Sequence, residues 1–134
     1  MRYDTLKDAQ AAGAAPWTQE AAGLSGYYVA VYEDAYPVAR GHLLFVPRWN
    51  NNDGIHEALK YAFNYGQSMV ATQRWEAFNV GMNFNEAAGQ TVMYPHVHLI
   101  PRTTGDCADP TGGVRGVIFG QANYRATGYS HPDK

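Results

Sequence analysis

The chain has 134 residues, 46% of them hydrophobic and 16% charged, with ten Lys and Arg against twelve Asp and Glu for a net charge of −2. That apolar content excludes a disordered chain, and the missing basic excess argues against a partner as large and anionic as long nucleic acid. The single Cys107 can close no internal disulfide and no all-cysteine metal site.

Residues 1–134 read as a single domain of ordinary size. Residues 1–25 form an N-terminal arm: Asp4 to Gln10 could start a short helix, and Gly13 and Pro16 punctuate the rest of the arm. The start of the chain has no apolar signal core, and no run nears the 18 apolar residues of a membrane span, so a cytoplasmic protein is expected. Tyr27, Tyr28, Val29, Val31 and Tyr32 are aromatic or β-branched, and residues 27–32 read as a strand. A second strand, 41–47, stops at Pro47. A turn cluster, 49–54, comes next, with Asp53 as the expected N-cap. Ile55, Leu59, Phe63, Gly66, Met69 and Val70 then recur at helical spacing up to Trp75. Residues 77–83 read as a third strand, 85–89 as a small-residue loop, and 89–101 hold a fourth strand. The order β, β, α, β, β predicts an α+β fold: an antiparallel sheet of about five strands with one main helix packed on a face. The core would occupy residues 26–102. Residues 103–134 are loop-rich, with Val114 to Phe119 as their only apolar stretch, and 121–134 read as an arm or lid.

His96 and His98 stand two apart in the fourth strand, so both project from one face with Tyr94 in line, while Val97 and Leu99 turn to the core. A neutral imidazole can bind a metal, shuttle protons or attack an electrophile. The preceding loop, Ala87 to Thr91, is built of small residues that let backbone approach a ligand, with Gln90 and Thr91 supplying an amide and a hydroxyl. Spacing alone leaves three readings open: packed histidines, a metal site completed by His42 or Asp34, and a phosphate site with an attacking imidazole. His56 and His131 read as solvated.

The run from Gly89 to Arg102, with Gln90, Thr91, Val92, His96, His98, Pro101 and Arg102, resembles the signature of the histidine triad (HIT) family. Asp34 to Pro37 followed by Gly41 to Pro47 is similar to the family's N-terminal segment, Phe78 to Asn83 to the strand before its loop, and Gly105 to Arg115 to its continuation in bacterial-type members. One position departs: Tyr94 stands where the family has its first histidine, and Pro95 comes after it. The family's middle histidine, the nucleophile, falls on His96, and the third, which contacts phosphate, on His98. The first acts largely through its backbone carbonyl, which survives replacement by Tyr94. The resemblance implies a nucleotide hydrolase of the hydrolase-type branch. It would attack the α-phosphate of a dinucleoside polyphosphate or nucleoside phosphoramidate through a nucleotidyl-histidine intermediate. By the same resemblance Asp34 binds the ribose hydroxyls, Asn83, Gln90 and Thr91 hold phosphates or leaving group, and His42 supports the pocket. Arg115 is either a phosphate clamp or a solvated loop residue. No metal or other cofactor is implied. A homodimer is, with apolar Tyr61, Phe63, Tyr65 and Trp75 on more than one helix face. The rival readings are a non-catalytic purine-nucleotide-binding module, a metal site on His96, His98 and His42, and an interaction domain with incidental histidines.

Overall fold

The β-rich runs assemble around the small-residue face of one long helix. The computed structural model describes residues 2–125, so His131 and the end of the expected arm lie outside the described residues. Four strands, β1 (Val29–Glu33), β2 (Leu43–Pro47), β3 (Ala77–Gly81) and β4 (Val97–Arg102), form one antiparallel sheet in the order β1-β2-β4-β3. Helix α1 (Leu6–Ala11) precedes the sheet, and α2 (Asn52–Ala71) joins β2 to β3. The α+β class and the β, β, α, β, β order are as expected. The strand count is four among the described residues, not about five. Irregular chain covers the β1 edge instead: Ala21 N–H donates to Val31 O and Glu33 N–H to Gln19 O (both 2.8 Å), while Ser25 Oγ takes the Val31 N–H at 2.9 Å. Those contacts satisfy the edge without a ladder.

Strict alternation along the strands builds two cores. Val29, Val31, Leu43, Phe45, Val97 and Leu99 face α2. Ala30, Tyr32, Leu44 and Val46 face the other way, where Leu6, Ala9 and Ala15 of the N-terminal arm cover them together with Tyr94. The buried line of α2 is Gly54, Ala58, Ala62 and Gly66, spaced by four: Ala58 and Ala62 belong to the sheet core, while Gly54 sits against Trp49 O. These small residues let the helix lie close. A Cβ on Gly66 would meet the Phe78 ring at 3.0 Å. The larger Leu59, Tyr61 and Tyr65 flank that line, with Tyr61 donating to Leu24 O, while Phe63 stays half exposed. Each large apolar side chain fully buried here, such as Phe45, contributes about 1.5–3 kcal/mol.

Helix α2 begins and ends earlier than its periodicity suggests. Asn51, not Asp53, is the N-cap, because its side-chain oxygen accepts the Gly54 N–H at 2.7 Å. The helix stops at Ala71, not near Trp75: Gln73 enters the left-handed region (φ 62°), and the N–H groups of Arg74 and Trp75 fold back onto Met69 O. Trp75 still reaches the core side, edge-on to Tyr65 at 5.8 Å. No helix among the described residues is long and apolar enough to cross a membrane.

The chain divides into two compact units at Arg102/Thr103. In the second, described to Arg125, Gly113–Val117 forms a 3-10 turn, and Asp109 accepts from Thr111 N–H and Asn123 Nδ2.

Candidate active site

The site is built on the sheet face away from α2, where the end of β1, the start of β2 and the approach to β4 converge. Asp34 follows β1 directly. Its Oδ1 accepts the Tyr36 N–H at 2.8 Å, closing a side-chain turn, and its own N–H donates to His42 O at 3.1 Å. Gly41, at φ 86°, makes the left-handed step that delivers His42 to β2, and a side chain there would press on Pro101 at 3.3 Å.

The register of β2 on β4 sets Leu44 opposite His98, so His42 lies on the diagonal of the same face, within reach. His42 Nε2 and His98 Nδ1 are 2.9 Å apart. Asp34 Oδ2 stands 3.4 Å from the first and 3.9 Å from the second. The tautomers are set by the donors. Val38 N–H donates to His42 Nδ1 at 3.2 Å, so a neutral His42 carries its proton on Nε2 and gives it to His98 Nδ1. His98 then carries its own proton on Nε2, as an N–H donor facing outward from the pair. Both rings are neutral at pH 7. Burial pulls His42 below the ordinary histidine value against the opposing charge of Asp34. Burial, helped by His96 and His42, draws His98 down to about 4.

His96 sits one residue before β4. Strand geometry therefore holds for His98 but not for Tyr94 and His96, which lie on the irregular approach with Pro95 between them. The rings of His96 and His98 are nevertheless neighbours, 5.3 Å between centroids. His96 Nδ1 donates to the backbone carbonyl of Tyr94 at 2.8 Å, which leaves Nε2 with its lone pair. Burial lowers its pKa, opposed by that carbonyl and by Asp34. Tyr94 is buried, and its phenol donates to Pro47 O at 2.6 Å. Burial pushes the phenol well above its ordinary value.

Gln90 is buried and holds the preceding loop at both ends: Oε1 accepts Asn85 N–H at 2.7 Å, and Nε2 donates to Met93 O at 3.2 Å. Asn85 sits at φ 73° and ψ 165°, a region nearly reserved for glycine, which costs on the order of 1–3 kcal/mol unless the surroundings enforce it. Thr91 is exposed beside it. Asn83 leaves the sheet two residues after Gly81, which pairs with His98. A cleft of about 720 Å³ runs between this loop and the N-terminal arm, lined by Gln90, Thr91, Tyr94, Phe84 and Tyr3. Arg115 belongs to the second unit, where its guanidinium donates to Ala122 O and Gln121 O and lies over Tyr124.

The structure thus gathers Asp34, His42, His96 and His98, with Tyr94 behind them. Two features carry no local sequence signal: the Asp34–His42–His98 line, and Trp17, whose ring packs on His96 at 4.8 Å. Asp34, His42 and His98 offer ligand atoms within 4.8 Å of one another and form the metal-sized group among the described residues. His96 is not part of it. Ligation through His42 Nε2 would force its hydrogen onto Nδ1, against the Val38 N–H, so the hydrogen bonding opposes it. What the arrangement offers chemically is a bare imidazole nitrogen beside an N–H donor, in a partly dry setting.

Comparison with known proteins agrees with this architecture. An "Uncharacterized HIT-like protein" of Mycobacterium tuberculosis is 34% identical over 88 residues, 60% of each chain. The "Adenosine 5'-monophosphoramidase" of Saccharomyces cerevisiae is 30% identical over 78 residues, 56% of this chain and 49% of the yeast protein. The matched stretch therefore spans 60% or less of these curated relatives. Among solved structures, a Streptococcus mutans protein superposes with a TM-score of 0.60 at 23% identity, covering 81% of this chain and 72% of its own. A zinc-bound histidine triad family protein of Mycobacterium smegmatis gives 0.57 at 22% identity, covering 63% and 67%. The HIT domain profile matches residues 24–105, more than half of the chain, and the protein belongs to the HIT domain family.

Proposed function

We propose that the protein is a histidine-triad nucleotide hydrolase or transferase acting at the α-phosphate of a nucleoside phosphoramidate or dinucleoside polyphosphate. The observation that carries the reading is the 2.8 Å bond from His96 Nδ1 to Tyr94 O, which leaves the lone pair on Nε2. His96 Nε2 attacks the α-phosphorus. The N–P bond forms as the bond to the amine or phosphate leaving group breaks, and the leaving group departs with the bonding pair and takes up a proton. Water then attacks phosphorus and gives up a proton to solvent, matching the one the leaving group took from solvent; the N–P bond breaks, and a nucleoside monophosphate leaves with neutral His96 restored.

The His98 Nε2–H, set by the relay from Val38 through His42, donates to a phosphoryl oxygen. Removing one donor of this kind typically costs about 3 kcal/mol of transition-state stabilisation. Thr91 and Asn83 add polar contacts, Gln90 fixes the loop, and Asp34 takes the ribose hydroxyls. Tyr94 replaces the first histidine through its carbonyl. The chemistry needs no metal or other cofactor. The half-exposed Phe63 on α2 and the edge position of β3 in the sheet among the described residues support a homodimer across that side.

The test is a panel of adenosine 5'-phosphoramidate and diadenosine polyphosphates, read by thermal shift and by AMP release. Stabilisation with turnover, lost in His96→Ala, is expected. Stabilisation without any release would make the protein a purine-nucleotide-binding module. A His96→Ala variant at wild-type rate would remove His96 from the mechanism.

A further inference from the structure

We propose that Trp17, carried by the N-terminal arm, is a positioning residue of this site: its indole clamps the His96 ring in the orientation that leaves Nε2 bare. The proposal rests on the reading of His96 as nucleophile, but the geometry that supports it does not.

The indole lies 4.8 Å from the His96 ring at an interplanar angle of 56°, while His98 stands edge-on to the same imidazole at 5.3 Å. His96 is thereby walled by one ring from the arm and one from β4. The bond from Nδ1 to Tyr94 O fixes one end of the imidazole only. A ring held by that bond alone can rotate away and exchange the bonded nitrogen, and each excursion changes which nitrogen carries the lone pair and where it points. An indole in contact with the ring, tilted at 56° to it, raises the cost of those excursions.

The arm is built to hold that wall. Trp17 packs on Tyr32 at 6.3 Å, and the Tyr32 phenol accepts from Gln10 Nε2 at 2.8 Å. Ala9 and Ala15, on either side of the Gly13 turn, are buried in the same cluster as Tyr32 and Tyr94. Trp17 and Tyr94 are thus seated on one core, so the indole that faces His96 and the carbonyl that binds it share a rigid base. The wall also displaces water from the imidazole, in keeping with the lowered proton affinity that burial gives His96. The other titratable groups around that ring are His98, His42 and Asp34.

The experiment uses the full chain and its Trp17→Phe, Trp17→Leu and Trp17→Ala variants. The imidazole nitrogen shifts of ligand-free protein are recorded near neutral pH, with His96 assigned by the loss of its pair in His96→Gln. Wild type and Trp17→Phe are expected to show one protonated nitrogen and one bare nitrogen. In Trp17→Ala the two are expected to move toward a common average. With adenosine 5'-phosphoramidate, kcat is expected to fall about 10- to 100-fold in Trp17→Ala, the range of a misplaced reacting group, with KM little changed and most of the rate regained in Trp17→Phe. If Trp17→Ala does not fold, Trp17→Leu, which keeps the apolar anchor and shortens the wall, is read in its place. Unchanged His96 shifts in a folded Trp17→Ala or Trp17→Leu would overturn the proposal. Averaged shifts in a protein without turnover would leave the clamp standing and sink the assigned reaction.

Discussion

Acid should weaken this fold through His98. The unfolded chain presents a histidine of ordinary affinity near 6.5, whereas the native ring is drawn down to about 4 by burial and by the neighbouring His96 and His42. Above pH 6.5 both states hold a neutral ring, and the group makes no difference to stability. Between pH 6.5 and 4 the unfolded state binds a proton that the native state refuses, so stability falls as pH falls. At 1.36 kcal/mol per tenfold change in affinity, the gap from 6.5 to 4 amounts to a loss of about 3 kcal/mol once pH is below 4. The side chain is 26% exposed, so solvent screening leaves most of that figure in place. Domains are stable by only about 5–15 kcal/mol, which makes this a large fraction. The assay is urea unfolding of wild type and His98→Asn from about pH 7 to about pH 4.5, with stability extrapolated to water. Asn cannot titrate, so the variant should lose less stability per pH step, whatever its stability at neutral pH. Equal acid slopes in the two proteins would refute the reasoning.

Removing the hydroxyl in Tyr94→Phe deletes a 2.6 Å bond to Pro47 O in a buried setting and should cost about 1–2 kcal/mol in a thermal melt. Turnover should stay within a few-fold of wild type because the Tyr94 carbonyl remains; a collapse of kcat with the fold intact would put the phenol in the chemistry. Gly54→Ala would place a Cβ 2.0 Å from Trp49 O at the start of α2, and chemical denaturation should show a loss of about 1–3 kcal/mol or more. Gly81→Ala, which meets nothing within 4 Å, should stay within about 0.5 kcal/mol, and equal losses at both positions would contradict the close approach of Gly54 to Trp49 O. If the proposed homodimer uses the half-exposed Phe63, Phe63→Asp should lower the mass in light scattering from dimer to monomer; an unchanged dimer mass would contradict that interface.

The sheet and its helix were legible because their signals are local. The unbroken apolar runs within residues 27–32 and 41–47 report strands buried on both faces, and the spacing from Ile55 to Val70 reports a helix. The ends were less legible. Asn51 outcompetes Asp53 as cap through one hydrogen bond, and the turn at Gln73 has no marker in the residues around it. The strand expected over 89–101 contains a loop that Gln90 staples from within, and a buried amide bridging two backbone groups looks in sequence like any polar loop residue. At the site, His96 and His98 announced themselves by spacing. The position of Asp34 beside two histidines arises from β2 pairing with β4, a long-range register that no short window contains. Trp17 reaches His96 across 79 positions of chain (96 − 17), through a core whose two halves look ordinary when read separately.

The most direct test is to mix the protein with adenosine 5'-phosphoramidate, quench within a turnover and map the modified peptide by mass spectrometry. An adenylyl mass on His96, absent from His96→Ala, is the expected result. Turnover with no such mass on any residue at any quench time, or the mass on His98 instead, would contradict the claim that the imidazole held by Tyr94 is the group that bonds to phosphorus.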